Sequence, residues 1–441
     1  MHRHDQGRPQ PVAMPSPGPP LPTTRAPRDP VLAALLPTAP VPTTTGVAAE
    51  LGRASRAVSL GARLVGEVID ARTGVRLWAR DPSQPEPPAS TTKLLTGAAA
   101  LLTLGPNFAL STTTRQVGRT VYLVGGGDPT LVRDAASYVS PSYPRPATMS
   151  SLARRTVAAL GATKRVRLRL DTSAWSGPTA AQGWKPSYVT EGDITPPSSL
   201  ELDEGRIDPQ DEFAARTPNP AAQAGVAFEE LLRQDGVTVV GSPRAGTPAP
   251  TSTLLATVKS PPLAELVQRM LTVSDDDLAE ALGRAVARHE RRPATFTGAA
   301  KAVTAAVGSL GVPTSGISLQ DTSGLSHLDR VTPQALVAVL RAAMSSGHPQ
   351  LRADIEGLPI AGLTGTLADR YLAQPTAAAA GILRAKTGTL TGVDALAGTV
   401  VDRSGRLLIF AFMASDAPSP GLTVPALDRL ASRLTRCGCT S

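Results

Sequence analysis

Ser90 and Lys93 stand three residues apart in the stretch Ser90-Thr-Thr-Lys93. In a helix, positions i and i+3 share a face, with Cβ atoms about 5–6 Å apart, so a hydroxyl would sit beside an amine. Ser90 falls at the predicted helix start, where free N–H groups and the dipole favour negative charge and the neutral form of a nearby amine. A serine next to a base is the pair that acyl transfer needs. The pattern alone is common, and Ser90 is equally readable as an N-cap. Lys386-Thr-Gly388-Thr389 lies on a predicted strand. There Lys386 offers positive charge to a terminal carboxylate, and the Thr387 and Thr389 hydroxyls can bind it. Gly388 inside a strand marks a close backbone approach, here of a substrate along the strand edge. The plainer reading is an edge strand protected by a lysine. Ser274-Asp-Asp276 opens a predicted helix. Ser followed by acids is an ordinary N-cap with an acidic first turn; the functional reading makes Ser274 a proton-relay hydroxyl.

The elements that must hold these groups can be read along the chain. Residues 1–44 are rich in Pro, Thr, Ala and Arg and read as a disordered tail. Order is expected from about Gly46. Ala62–Ile69 and Arg76–Ala79 read as strands joined by a turn ending at Gly74. Ser90–Leu104 reads as a helix stopped by Gly105-Pro106. From 107 to 262 short strands (Val121–Val124, Val166–Leu170, Val237–Val240) alternate with Pro/Ser loops, the texture of a β-rich insertion. Helical patterns return at Ala264–Leu271, Leu278–His289, Phe296–Leu310 and Pro333–Ala343. Strands Leu383–Lys386, Ala395–Val401 and Leu407–Phe412 follow, two of them joined by a hairpin turn at 402–405, and a last helix at Val424–Leu434. The expected fold is therefore α/β (α+β), with a body in two parts, 45–106 and 263–441, split by an inserted domain at 107–262.

Composition bounds the function. The 441 residues, 41% apolar, can bury a sizeable core, built from Ala, Val and Leu because aromatics make up only 3%. The net charge of +8 suits an anionic neighbourhood such as a membrane surface or wall polymer. Nucleic acid is a poor fit, because basic residues are scattered and aromatics scarce. No apolar run of about 18 residues occurs, and the first 30 residues carry no signal-peptide core. Cys437 and Cys439 form one C-x-C without a second ligand pair, so no zinc site follows. They read as exposed thiols or a strained local disulfide. No metal or cofactor is called for. Gly125-Gly-Gly-Asp128 lacks the ending of a phosphate loop. No G-x-S-x-G elbow exists, and His327 reads as a loop residue, which leaves a Ser-His-Asp hydrolase without its parts.

S-x-x-K, S-D-N and K-T-G together form the set of β-lactamases and penicillin-binding proteins. With Pro88–Thr96, Leu123–Leu131, Asp321–Ser326 and Leu358–Leu367 in order around them, the chain resembles, over about residues 45–436, the D-alanyl-D-alanine carboxypeptidase/endopeptidase family, the class C low-molecular-mass penicillin-binding proteins. The resemblance implies a transpeptidase/β-lactamase-like body with an inserted domain. It implies peptidoglycan stem peptides as substrate and β-lactams as trapping ligands, and from the substrate an extracytoplasmic site, on the periplasmic or cell-wall side. Any membrane association would be peripheral. It makes Ser90 the nucleophile, Lys93 the general base and Ser274 the relay to the leaving amine. The N–H groups of Ser90 and Thr389 would form the oxyanion hole. Asp276 departs from the family's Asn. An ionised Asp only accepts hydrogen bonds, and its charge favours the ammonium form of Lys93. Both effects oppose catalysis unless Asp276 stays protonated or pairs mainly with Lys386. The alternatives that follow are an active carboxypeptidase or endopeptidase, a wall-binding or structural homologue that lost turnover, and a β-lactamase, for which no deacylating acid is visible.

Overall fold

The computed structural model describes residues 39–136 and 144–438. Most of the expected tail, and Cys439, lie outside these residues. The tail's last part is structured: Ala39 is buried, its carbonyl accepts from Arg406 Nη1 (3.0 Å), and helix α1 (Thr44–Gly52) begins with the Thr43 hydroxyl capping Gly46 N–H. Next come β1 (Arg63–Asp70) and β2 (Arg76–Arg80), a hairpin that turns through Gly74 at φ +74°. A 3-10 turn at Ala89–Thr91 leads into α2 (Thr92–Leu104), which ends at Gly105. Ser90 therefore sits in the turn before the α-helix rather than in its first residue. Every α2 residue from Thr92 to Leu101 is buried, as its Leu/Ala-rich sequence requires of a helix enclosed on all sides.

The chain then builds a second unit from β3 (Ser111–Val117), β4 (Thr120–Val124), α3 (Met149–Leu160), β5 (Arg165–Asp171), a short α4 (Tyr188–Glu191), α5 (Pro220–Gln234), β6 (Thr238–Val239), β7 (Arg244–Ala245) and β8 (Thr253–Lys259). It returns through α6 (Leu263–Thr272), α7 (Asp276–His289), α8 (Phe296–Ser309), α9 (Pro333–Ala343) and a short α10 (Arg352–Glu356). The body closes with β9 (Arg384–Leu390), β10 (Val393–Val401), β11 (Leu407–Ser415) and α11 (Pro420–Arg433).

Among the described residues the body holds one sheet, in the order β2-β1-β11-β10-β9, antiparallel throughout. Both its faces are covered. Ile409, Ala411 and Met413 of β11 face a core shared with α2 and α6 to α9; Leu408, Phe410 and Phe412 face a core shared with α1 and α11. That is why β11 reads as a continuous apolar run: side chains alternate, and each face is buried. The second unit has its own core and its own sheet, β6-β5-β4-β3-β8, with β7 beside β5. It is less purely β than its sequence texture suggests. Strand pairs β4–β5 and β5–β6 are parallel, and parallel neighbours need a crossover. Helices α3 and α5 supply it, and their amphipathic patterns went unread among the surrounding Pro/Ser loops. Cys437 is buried and disulfide-bonded, not an exposed thiol.

Candidate active site

Three elements meet at one cleft: the turn before α2, the edge strand β9, and the link between α6 and α7. Lys93, one residue into α2, is fully buried. Its Nζ lies 2.9 Å from Ser90 Oγ and donates to Asp276 Oδ1 (2.5 Å) and to the Ser323 carbonyl (2.7 Å). The last two acceptors occupy two N–H bonds. The remaining position on nitrogen points at the Ser90 hydroxyl, where a neutral amine would present its lone pair.

Lys386 on β9 is equally buried. Its Nζ donates to Ser274 Oγ (2.9 Å) and to the Thr387 carbonyl (2.8 Å), both uncharged. Burial first, then the charge of Lys93, pushes its pKa well below the usual lysine range, with Asp276 pulling it back. Asp276 does not pair mainly with Lys386, the alternative its sequence left open; its hydrogen bond goes to Lys93. Burial raises the Asp276 pKa, and Lys93 and then Lys386 hold it down.

Ser274 is not the helix cap. Asp275 caps α7, its side chain accepting from Leu278 N (2.9 Å). Ser274 takes a left-handed conformation, φ +64°, uncommon for a residue with a Cβ and often found at functional positions. That turn releases its hydroxyl toward Lys386. The three acids after it diverge. Asp275 also pairs with Arg269 (3.0 Å), Asp276 enters the cleft, and Asp277 accepts from Thr195 N (2.8 Å) of the second unit. Carboxylate oxygens of Glu204, Asp275 and Asp277 come within 4.8 Å of one another. Arg206 and Arg269 pair with Glu204, and Arg216 lies 3.9 Å from both Glu204 and Asp277, so guanidinium groups supply the opposite charge that a cation would otherwise bring.

Gly388 explains how the strand reaches the serine. A Cβ there would lie 2.8 Å from the Pro88 carbonyl oxygen and 3.1 Å from Ser90 N. The close approach that the structure shows is to the turn carrying Ser90. Ala89, at φ +47°, completes that turn. Thr387 shares a hydrogen bond with the Thr366 hydroxyl (2.8 Å). The Thr389 hydroxyl donates to Asp394 Oδ1 (2.9 Å), opposite it on β10. It is committed within the sheet, which leaves Thr389 its backbone N–H to offer. His327 is an exposed loop residue.

The sequence reading missed the groups that hold Ser323. Glu280 Oε1 accepts from Thr322 N (2.8 Å) and Ser323 N (2.9 Å), and Arg284 anchors Oε2 (2.7 Å). Asp321 accepts from Gly324 N, Ser326 N and Trp184 Nε1, each at 2.7 Å. Burial, then the neighbouring Glu280, raises the Asp321 pKa to about 6. The signal is the stretch Asp321–Ser326, one of the segments that carry the family resemblance. The second unit also closes one side of the cleft: Tyr188 Oη donates to the Leu325 carbonyl (3.2 Å), and Lys185 Nζ to Thr391 Oγ1 (2.7 Å) beyond β9.

A serine beside a buried lysine, a second buried lysine on an edge strand and a helix-covered antiparallel sheet define the penicillin-recognising class of serine enzymes. The chain belongs to the D-Ala-D-Ala carboxypeptidase 3 (S13) family, whose profile matches residues 48–216 and 209–434. It is 44% identical to carboxypeptidase DacB of Mycolicibacterium smegmatis over 408 residues, 91% of this chain and 86% of that protein. It is 40% identical to carboxypeptidase Rv3627c of Mycobacterium tuberculosis, over 98% of this chain and 91% of that protein. The fold is similar to the crystal structure of penicillin-binding protein 4 (dacB) from Haemophilus influenzae, with TM-score 0.71 and 21% identity over 89% of this chain and 99% of the other.

Proposed function

We propose that this chain is a serine-type D-Ala-D-Ala carboxypeptidase, able also to act as an endopeptidase, that trims peptidoglycan stem peptides outside the cytoplasm. The observation that carries the reading is the 2.9 Å contact between Lys93 Nζ and Ser90 Oγ, with the other Lys93 hydrogens held by Asp276 and Ser323. Lys93 Nζ takes the Ser90 proton as Ser90 Oγ bonds to the penultimate D-Ala carbonyl carbon. The backbone N–H groups of Ser90 and Thr389 receive the developing oxyanion, donors of a kind worth about 2.7–4 kcal/mol in other enzymes. The peptide C–N bond then breaks, and the terminal D-Ala amine leaves with a proton passed from Lys93 through Ser274. Water attacks the Ser90 ester carbon, giving a proton to Lys93; as the bond from that carbon to Ser90 Oγ breaks, Lys93 returns the proton to Oγ, and the shortened peptide departs as a carboxylate. Lys386 and Thr387 bind the terminal carboxylate, and the arriving anion supports the Lys386 charge that burial disfavours. Residues 107–262 act as an inserted domain that forms one side of the cleft. β-Lactams acylate the same serine.

Mass spectrometry after incubation with benzylpenicillin tests this. One adduct mapping to Ser90, and none in Ser90→Ala, is expected; an adduct elsewhere, or none at all, overturns it. One observation favours a second reading, a wall-binding homologue with impaired turnover: Asp276, in place of the family's Asn, accepts a hydrogen bond from Lys93 Nζ at 2.5 Å. That reading expects stem peptides to bind without an adduct or turnover.

A further inference from the structure

Across the sheet from α2, helices α1 and α11 enclose a cavity of about 190 Å³. Its wall carries Arg53 just after α1, Arg429 and Arg433 in the last turns of α11, and Arg436 in the 3-10 turn that follows it. Arg429 and Arg433, at i and i+4, project from one face of α11. Four guanidinium groups there face one carboxylate: Glu50 Oε2 lies 3.7 Å from Arg433. Asp428, next in sequence, turns away to bind Arg370 (2.9 Å). Arg436 makes one long contact to the Pro375 carbonyl (3.4 Å). Among the described residues the guanidinium groups of Arg53 and Arg429 have no hydrogen-bonding or charged partner. All four arginines are exposed to solvent, so the cavity they line opens to the surface and their charges are within reach of a ligand. Ala57 also lines an adjoining groove bearing Arg56 and Val58, a residue 92% exposed.

We propose that this cavity is a binding site for a phosphate group. Guanidinium forks match phosphate oxygens two at a time, so several can share one tetrahedral anion, whereas a lone carboxylate fills far fewer. The cavity lies on the layer opposite the one that carries Ser90, so an occupied site leaves the cleft open. The phosphate has two possible sources, an anionic lipid headgroup or a soluble phosphate. Val58, protruding beside the arginines, suits the lipid.

The test uses the full chain. Co-sedimentation with phosphatidylcholine vesicles, with and without phosphatidylglycerol, reads the lipid source; thermal protection by pyrophosphate reads the soluble one. Arg429→Glu/Arg433→Glu is compared with Arg165→Glu/Arg167→Glu, exposed positions on β5 that change net charge equally. The first variant is expected to lose about tenfold or more in affinity for anionic vesicles, and the second about twofold or less. Ser90 acylation by benzylpenicillin stays unchanged in both. Pyrophosphate protection that the first variant alone loses, without vesicle binding, supports the site with a soluble source. Equal losses in both variants mean only the net positive charge is being read, and overturn the proposal, as does a wild-type chain that responds to neither ligand.

Discussion

Lys93 on α2 and Lys386 on β9 are both fully enclosed, and their partners differ. Lys93 has a carboxylate and a carbonyl besides the serine; Lys386 has a hydroxyl and a carbonyl, and no carboxylate bonded to it. One acidic group, Asp276, serves two buried cations and gives its hydrogen bond to the one beside the nucleophile. In the proposed reaction, the wall assigned to covalent chemistry thus comes with its charge compensated. The wall assigned to substrate binding is short of negative charge, which an incoming carboxylate would provide. A buried charge without a partner is costly, so on that reading the ligand would complete the site.

The largest effect should follow from breaking the first wall. Lys93→Met keeps the volume and removes the base, so acylation of Ser90 by benzylpenicillin should slow by about 10²–10⁴-fold, the usual span of general-base contributions. A stopped-flow rate near wild type would remove Lys93 from the proton transfer. Breaking the second wall should cost less and depend on the ligand. Lys386→Met should weaken acylation by carboxylate-bearing ligands by about 2–5 kcal/mol, the cost of truncating a buried charged partner. Their methyl esters, already poor, should change little. Equal losses for acid and ester would mean that Lys386 supports the site without reading the carboxylate.

A gain is expected where the walls share a group. Asp276→Asn replaces the carboxylate that accepts from Lys93 Nζ with a neutral amide, so acylation should rise by about tenfold at neutral pH. The sign fixes the pH window. Burial raises the Asp276 pKa, so below that value the wild-type carboxyl is already neutral and the variant gains nothing. The advantage opens as pH rises through it. Acylation that stays level or falls in Asp276→Asn at neutral pH would show that the carboxylate serves the reaction, by stabilising the ammonium as it forms.

Both lysines and their serines were legible in the sequence because spacing along one helix and one strand placed them. What was not legible depended on the chain returning to itself. Asp276 had two lysines within reach, and only the turn at Ser274, φ +64°, aims it at Lys93. Asp275 took the cap that the plainer reading gave to Ser274. The Ser323 carbonyl is a backbone atom, invisible to any reading of side-chain types, and Glu280, which accepts from the Ser323 N–H, looked like one more acid on an amphipathic helix. In the second unit, parallel pairing forced helices into a region read as mostly strand. The tail's boundary was missed because Arg406 reaches back to Ala39 from the far end of the chain.

A second carboxylate beside α2 separates burial from partnership. Asp354 is fully buried against Gly97, one helical turn beyond Lys93; a Cβ on Gly97 would lie only 2.2 Å from Asp354 Oδ1. Among the described residues neither Asp354 oxygen has a hydrogen-bond partner. Burial alone raises its pKa well above the ordinary carboxylate value, with no cation to oppose it, unlike Asp276. The folded chain therefore keeps the Asp354 proton over a range where the unfolded chain has lost it. Stability falls as pH rises from the ordinary carboxylate range to the folded-state value, by about 1.4 kcal/mol per pH unit, and levels off above it. Asp354→Asn cannot ionise and should escape that loss. In urea unfolding at a series of pH values, its stability relative to wild type should climb across the window and then plateau. Asp276→Asn should show a shallower climb, because Lys93 and Lys386 already favour the charged form of that carboxyl. Parallel stability curves for wild type and Asp354→Asn would mean that Asp354 gains a partner in solution, and that pairing does not distinguish the two acids.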